Sequence, residues 1–279
     1  MTEPGEALFV RDAGRYVATP YTEGPWNPEF QHGGPVSALL AHTVEEVPTL
    51  VPMRAGRLTV DLMRTVPVAP LTTAGRVVRE GKRVQVVEAA LLHDGIEVAR
   101  ASALRVRVGE SAPAVDHPLR PEVRRPPRGP IGGGESLLAQ AGLPVPGFIR
   151  AIEMDRVLGG VGLGTPAVTW FRLVLPVVLG VPVTPFVRLA ALADFASGTG
   201  NFLEIDRWSS INADVSVQML REARGEWLAV DAVAHVAGDG IGYSVASILD
   251  EEGLVATAAT VQVVDEVAAP FSKVARGLA

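Results

Sequence analysis

The sequence predicts an α+β protein in which one unit, a helix followed by a long antiparallel run of strands, occurs twice. Three observations carry this. Residues 32–108 and 185–264 follow the same order: "HGGPVSALLAHTVEEV", "RLTVDLMRTVPV" and "DGIEVARASALRVRV" in the first copy match "PFVRLAALADFASG", "SINADVSVQMLREA" and "EEGLVATAATVQVV" in the second. Each copy opens on an apolar segment of helical period and continues in segments of period two. The strand segments are separated by the turn signals "REGKR", "HDG", "GDG" and "EEG", where glycine permits a tight reversal.

In chain order, "ALFVRDAGRYVATPY" reads as strand leading into the first unit. In residues 34–48, Val36, Leu39, Leu40, Val44 and Val47 form a helical stripe with Glu45 and Glu46 off it. Residues 109–147 are dense in proline, glycine and charge and read as a surface connector, with "ESLLAQAG" forming a turn or two of helix. Residues 149–157 and 165–175 read as strands. Residues 186–198 form a second helix, apolar around most of its circumference, as suits a helix enclosed by a sheet. Residues 211–219 alternate, with Ile211, Ala213, Val215, Val217 and Met219 on one face and Asn212, Asp214, Ser216 and Gln218 on the other. The expected division is an N-terminal domain at 1–108, the connector at 109–147 and a C-terminal domain at 148–279. Edge-to-edge joining of the two sheets is expected, because a free edge strand invites aggregation.

With 279 residues, 48% of them hydrophobic, the chain can bury a full core. A net charge of −6 without basic clusters argues against nucleic acid or an anionic membrane surface and for a small-molecule partner. The absence of cysteine removes disulfides, thiolate nucleophiles and Cys-ligated metals, and fits a cytoplasmic location. No secretory leader pattern is seen at the start, and "FRLVLPVVLGVPVTPF" is broken by three prolines, so it reads as strand and loop rather than a membrane span. Five scattered histidines without paired spacing predict no metal site, and no cofactor is expected.

The copies differ in one telling respect. Aligning Asp61 with Asp214 pairs Thr59 with Asn212, and eighteen residues upstream stand Ala41 in the first copy and Asp194 in the second. A carboxylate in an apolar helix is costly unless it is paired or functional, and Asp194 is therefore the leading candidate for chemistry. Asp61 and Asp214, present in both copies, read as structural.

The segments "GPWNPEFQHGGPVSALLAH", "LAALADFASG", "INADVSV…LR…GEWL" and the closing "GLVATAATVQ" together resemble the double-hotdog acyl-CoA thioesterases, the acyl-CoA thioesterase II group and its actinobacterial relatives. The resemblance covers most of the chain outside the connector. It implies a tandem (double) hotdog, each half a long antiparallel sheet wrapped around a central helix, and hydrolysis of an acyl-CoA to free acid and CoA. In that family a helix carboxylate, a strand Thr and a last-strand Gln hold the attacking water. By position these are Asp194, Asn212 in place of Thr, and Thr260, with Gln262 two residues on and on the same strand face. His32-Gly33-Gly34 looks like the His-Gly-Gly of single-hotdog thioesterases, where helix-terminal N–H groups polarise the thioester oxygen and bind substrate. There an acid follows nine residues after the His. Here that place is Ala41, so the signature is divided between the copies. Dimers or higher oligomers are implied by the same likeness.

The rival reading is a non-catalytic acyl-CoA or acyl-chain binding protein, favoured by Asn212 and Thr260 standing in place of Thr and Gln. A hotdog hydratase would carry Asp-x-Asn-Pro-x-His, which the Asp231/His235 pair does not match. The "GGVGLG" at 159–164 precedes no helix and reads as a turn, and no G-x-S-x-G elbow is present.

Overall fold

In a computed structural model, residues 6–109, 118, 120–124, 145–160, 164–204 and 207–267 are described. The first unit comprises β1 (Phe9–Asp12), β2 (Arg15–Ala18), α1 (Gly33–Glu46), β3 (Met53–Asp61), β4 (Pro70–Arg79), β5 (Val84–His93) and β6 (Ile96–Arg107). The second comprises a helical turn at Gly147–Arg150, then β7 (Ile152–Gly160), β8 (Gly164–Leu173), α2 (Pro185–Ala193), α3 (Phe195–Gly200), β9 (Trp208–Asn212), β10 (Asp214–Met219), β11 (Trp227–Val236), β12 (Ile241–Asp250) and β13 (Gly253–Glu266). This is a tandem hotdog. The expected helix in "ESLLAQAG" lies outside the described residues.

All thirteen strands form one sheet in the order β1-β2-β4-β5-β6-β3-β10-β13-β12-β11-β8-β7, with β9 also on β13. The two halves meet edge to edge at β3 and β10, where Asp61 faces Asp214 and Leu58 faces Val217. The chain start crosses this division too, as Leu8 and Phe9 donate their N–H groups to Pro176 and Val177. The expected turns form where glycine or a neighbour takes positive φ, for example Asp94 and Gly95 between β5 and β6.

Inside the sheet, α1 and α2 lie antiparallel. The approach is close because Gly34 has no side chain: a Cβ there would stand 2.7 Å from the Ala191 carbonyl oxygen and 2.5 Å from the Phe148 ring. Val36, Leu39, Leu40 and Val44 are buried as the stripe requires, and they share one core with Leu192, Val217 and Leu228 of the other half. A smaller cluster lies around Trp170 and Trp227, covered by Val123, whose carbonyl accepts the Trp170 Nε1–H at 2.8 Å.

Two elements depart from the pattern read in the sequence. The helix expected over 186–198 is two helices that meet at Asp194, the C-cap of α2. The strand expected over 211–219 is interrupted at Ala213. Asn212 pairs with Gln262 but Ser216 pairs with Ala259, so this side of the ladder carries one extra residue, a β-bulge. Beyond the bulge the faces exchange. Asn212 turns to the enclosed side that Val215 and Val217 occupy, while Ile211, expected inside, is 47% exposed. The Asp214 carboxylate fills the gap in the ladder by accepting from Val261 N–H at 2.7 Å and Ser216 O–H at 3.1 Å, a structural role.

Candidate active site

The break between α2 and α3 presents the Asp194 carboxylate to the start of α1 in the other half. Its side chain is only 2% exposed, and a buried carboxylate needs partners. Asn212, re-aimed by the bulge, donates from Nδ2 to Asp194 Oδ1 at 2.6 Å and to its main-chain oxygen at 3.1 Å. Nδ1 of His32 lies 2.6 Å from Oδ2. Gly33 completes the contact from below: a Cβ there would meet Asp194 Oδ1 at 2.5 Å. The separated halves of the sequence signature, His-Gly-Gly and the acid, thus meet across the two copies.

His32 is the N-cap of α1. Its main-chain N–H donates to Thr22 at 2.8 Å, and its ring is held between Phe148 and Phe195 at centroid distances of 4.9 and 5.3 Å. Phe171 stacks on Phe195 at 4.5 Å and extends this wall. As the first residue of the helix, Gly33 has no intrahelical acceptor for its N–H, which points to where the helix dipole favours negative charge.

His32, Gly33, Phe171, Asp194, Phe195 and Asn212 border a cavity of about 650 Å3 between the halves. One wall, from the first half, includes Trp26, Phe30 and Val66. The other, from the second, includes Met154, Phe171 and Phe195. Arg64 and Arg156, both exposed, also border it. Three buried oxygens on lining residues, Gln31 Oε1, Thr199 Oγ1 and Asn212 Oδ1, have no hydrogen-bond partner among the described residues. Buried acceptors of this kind are costly unless something donates to them.

Of the residues singled out in the sequence, His32, Gly33, Gly34, Asp194 and Asn212 come together. Thr260 and Gln262 form a separate network. Gln262 Nε2 donates to Thr260 Oγ1 at 2.7 Å and to Ser244 Oγ at 2.8 Å, and its Oε1 accepts from Ser210 at 3.0 Å. Both are buried, neither borders the cavity, and neither hydrogen-bonds to Asp194 or Asn212. They reach the site only through Ser210 and the strand pairing of Gln262 with Asn212. The direct His32–Asp194 contact, the aromatic wall and the unpartnered Thr199 and Gln31 were not read from the sequence. Only the divided His-Gly-Gly and acid hinted at the first.

The sequence register also leaves the first copy without an acid, since Ala41 stands opposite Asp194. In the structure Ala41 is fully buried, and Glu45, one turn further along α1, makes the matching contact. It accepts from the hydroxyl of Thr184, the N-cap of α2, at 2.9 and 3.0 Å. Burial pushes the Glu45 carboxyl up, against the Thr184 hydrogen bond and Arg105, which lower it. Each half thus sets a carboxylate against the N-cap of the other half's helix, but Glu45 is exposed where Asp194 is buried, and only Asp194 meets a His-Gly-Gly.

No described helix is long and apolar enough to cross a membrane, and no group of His, Asp or Glu among the described residues could hold a metal ion. Two wrapped helices with a cavity between the halves define the tandem-hotdog class of proteins. Residues 22–106 match the acyl-CoA thioesterase N-terminal domain and 118–264 match the acyl-CoA thioesterase C-terminal domain. The chain belongs to the acyl-CoA thioesterase family and is a thioester hydrolase. Solved structures repeat the fold. A protein of Novosphingobium aromaticivorans described as a thioesterase shares 21% identity at a TM-score of 0.65, over 92% of this chain and 98% of that one. A hot dog fold protein of Alicyclobacillus acidocaldarius shares 16% at 0.66, over 92% and 95%. The acyl-CoA thioesterase II TesB2 of Mycobacterium marinum shares 17% at 0.60, over 95% of each. No curated protein matches the chain.

Proposed function

We propose that the protein hydrolyses acyl-CoA with a water activated through Asp194. The observation that carries this is a nearly sealed carboxylate at the N-terminus of the facing helix, on the border of a cavity between the halves. The acyl group lies along the apolar wall of Phe171, Phe195 and Met154, and the phosphates of CoA face Arg64 and Arg156. The thioester oxygen is drawn to the Gly33 N–H, which stabilises the negative charge that builds up as water adds to the carbonyl carbon. Asn212 fixes the Asp194 carboxylate from one side. Collapse of the adduct breaks the carbon–sulfur bond and releases CoA.

The test is CoA release from a panel of acyl-CoAs, followed by thiol trapping, in the natural protein and in Asp194→Asn. Loss of turnover by roughly 10²–10⁴-fold with acyl-CoA binding retained is the expected result. Unchanged turnover in Asp194→Asn would remove Asp194 from the reaction. Binding without any CoA release by the natural protein would leave an acyl-CoA-binding role.

A further inference from the structure

Resting on that reading, we infer that the atom which takes the proton from the attacking water is Nε2 of His32, with Asp194 acting as its positioning partner. The Asp194 carboxylate is already occupied on three sides. Oδ1 receives the Asn212 amide at 2.6 Å, Oδ2 lies 2.6 Å from His32 Nδ1, and Gly33 presses on the group from a third side. With its side chain 2% exposed, Asp194 offers little oxygen surface to a water in the cavity.

The protonation of His32 follows from the same distances. Nδ1 is approached by two groups, the Gly34 N–H at 3.2 Å and the Asp194 carboxylate at 2.6 Å. A bare Nδ1 accepting from Gly34 would set its lone pair against a carboxylate oxygen at 2.6 Å, so a proton must lie between Nδ1 and Oδ2. The shorter, charge-assisted contact governs, and Nδ1, once protonated, has no lone pair left to accept the Gly34 N–H. With the proton on Nδ1, neutral imidazole carries its lone pair on Nε2. No described residue hydrogen-bonds Nε2, and the ring, 15% exposed, borders the cavity. This is the nucleophile–base–orienter logic in which a carboxylate holds an imidazole in one tautomer, assembled here from one residue of each half.

The step balances. Water adds through oxygen to the thioester carbonyl carbon as its proton passes to Nε2, giving an imidazolium whose Nδ1–H remains on Asp194. On collapse the carbon–sulfur electrons leave with sulfur, and the Nε2 proton passes to the CoA thiolate.

One substitution and one spectrum separate this role from mere support of Asp194. In His32→Asn the amide nitrogen replaces Nδ1–H, but nothing replaces Nε2, and kcat is expected to fall roughly 10²–10⁴-fold with little change in KM. Turnover in His32→Asn close to that of the natural protein would overturn the inference while leaving hydrolysis and Asp194 untouched. An independent readout is the ¹⁵N spectrum of histidine-labelled protein, the His32 signals being those lost in His32→Gln. The expected spectrum has His32 protonated on Nδ1 and bare on Nε2, with that preference lost in Asp194→Asn. A His32 protonated on Nε2 in the natural protein would overturn the inference even if His32→Asn failed to fold. Absence of CoA release from the natural protein is the separate failure of the underlying reading.

Discussion

Gly33 shows how one missing side chain sets the geometry of the candidate site. Its Cα lies against the Asp194 carboxylate, and any Cβ would stand 2.5 Å from Oδ1 and 2.9 Å from Cγ. A methyl group there must displace either the start of α1 or the carboxylate, an overpacking that costs about 1–3 kcal/mol. Gly33→Ala is therefore expected to fold and to bind acyl-CoA, with kcat reduced at least about tenfold, since about 1.4 kcal/mol of lost transition-state stabilisation is tenfold in rate. Thermal melting and CoA release measured together check this, and full turnover in Gly33→Ala would show that the contact is unimportant. The sequence marked Gly33 by its motif. The reason for the glycine, however, is a residue 161 positions away, and composition carries no trace of such a contact.

At the level of elements, the decisive features are two interruptions. The bulge at Ala213 turns Asn212 inward, and the break at Asp194 ends α2 where its carboxylate meets His32. Helical and strand periods were legible because burial imposes them on side chains along each element. A one-residue bulge leaves the residue types unchanged and reverses their faces, so strict alternation placed Ile211 inside and Asn212 outside. Another element-level device is the β12–β13 hairpin, where Asp250, fully buried, accepts from Arg221 at 2.5 and 2.6 Å, from Arg224 N–H at 2.8 Å and from Glu252 N–H at 2.9 Å. Burial alone would raise this carboxyl, but the Arg221 guanidinium and the two main-chain donors outweigh it, and the folded value lies below the ordinary one. Its stabilisation is therefore fully present above the free carboxylate value and is lost as pH falls through the folded one. Asp250→Asn is expected to cost about 2–3 kcal/mol at neutral pH, somewhat below a fully buried pair because Arg221 keeps contact with solvent. Melting temperatures of the two proteins should converge in acid. A constant difference down to low pH would show that the ion pair is not the cause.

For the whole molecule, the join of β3 to β10 and the antiparallel packing of α1 on α2 bring residues of the two copies into one candidate site. Asp194 and Asn212 belong to one half and His32, Gly33 and Gly34 to the other, so neither half contains a complete site. Residues 1–109 and 145–279, produced separately, are expected to show no CoA release and to gain it when produced together. Turnover by either fragment alone would place the chemistry within one copy. The second junction between the helices, Glu45 on Thr184, lacks the imidazole and the glycines, which leaves it as a structural hydrogen bond.

The sequence by itself determined the duplicated helix-and-sheet plan, the turns, the buried stripe of α1 and the family resemblance, and it singled out Asp194 as the candidate, because each of these is written in residue types at local spacings. Only the tertiary structure decided which carboxylate meets which histidine, that Glu45 rather than Ala41 is the counterpart of Asp194, and that Thr260 and Gln262 bond each other and Ser244 away from the cavity. The physical reason is that these pairings depend on one strand carrying an extra residue and on two helices approaching within the space of an absent Cβ. Both are distances of a few ångströms between segments remote in the chain, and only the packed molecule specifies them.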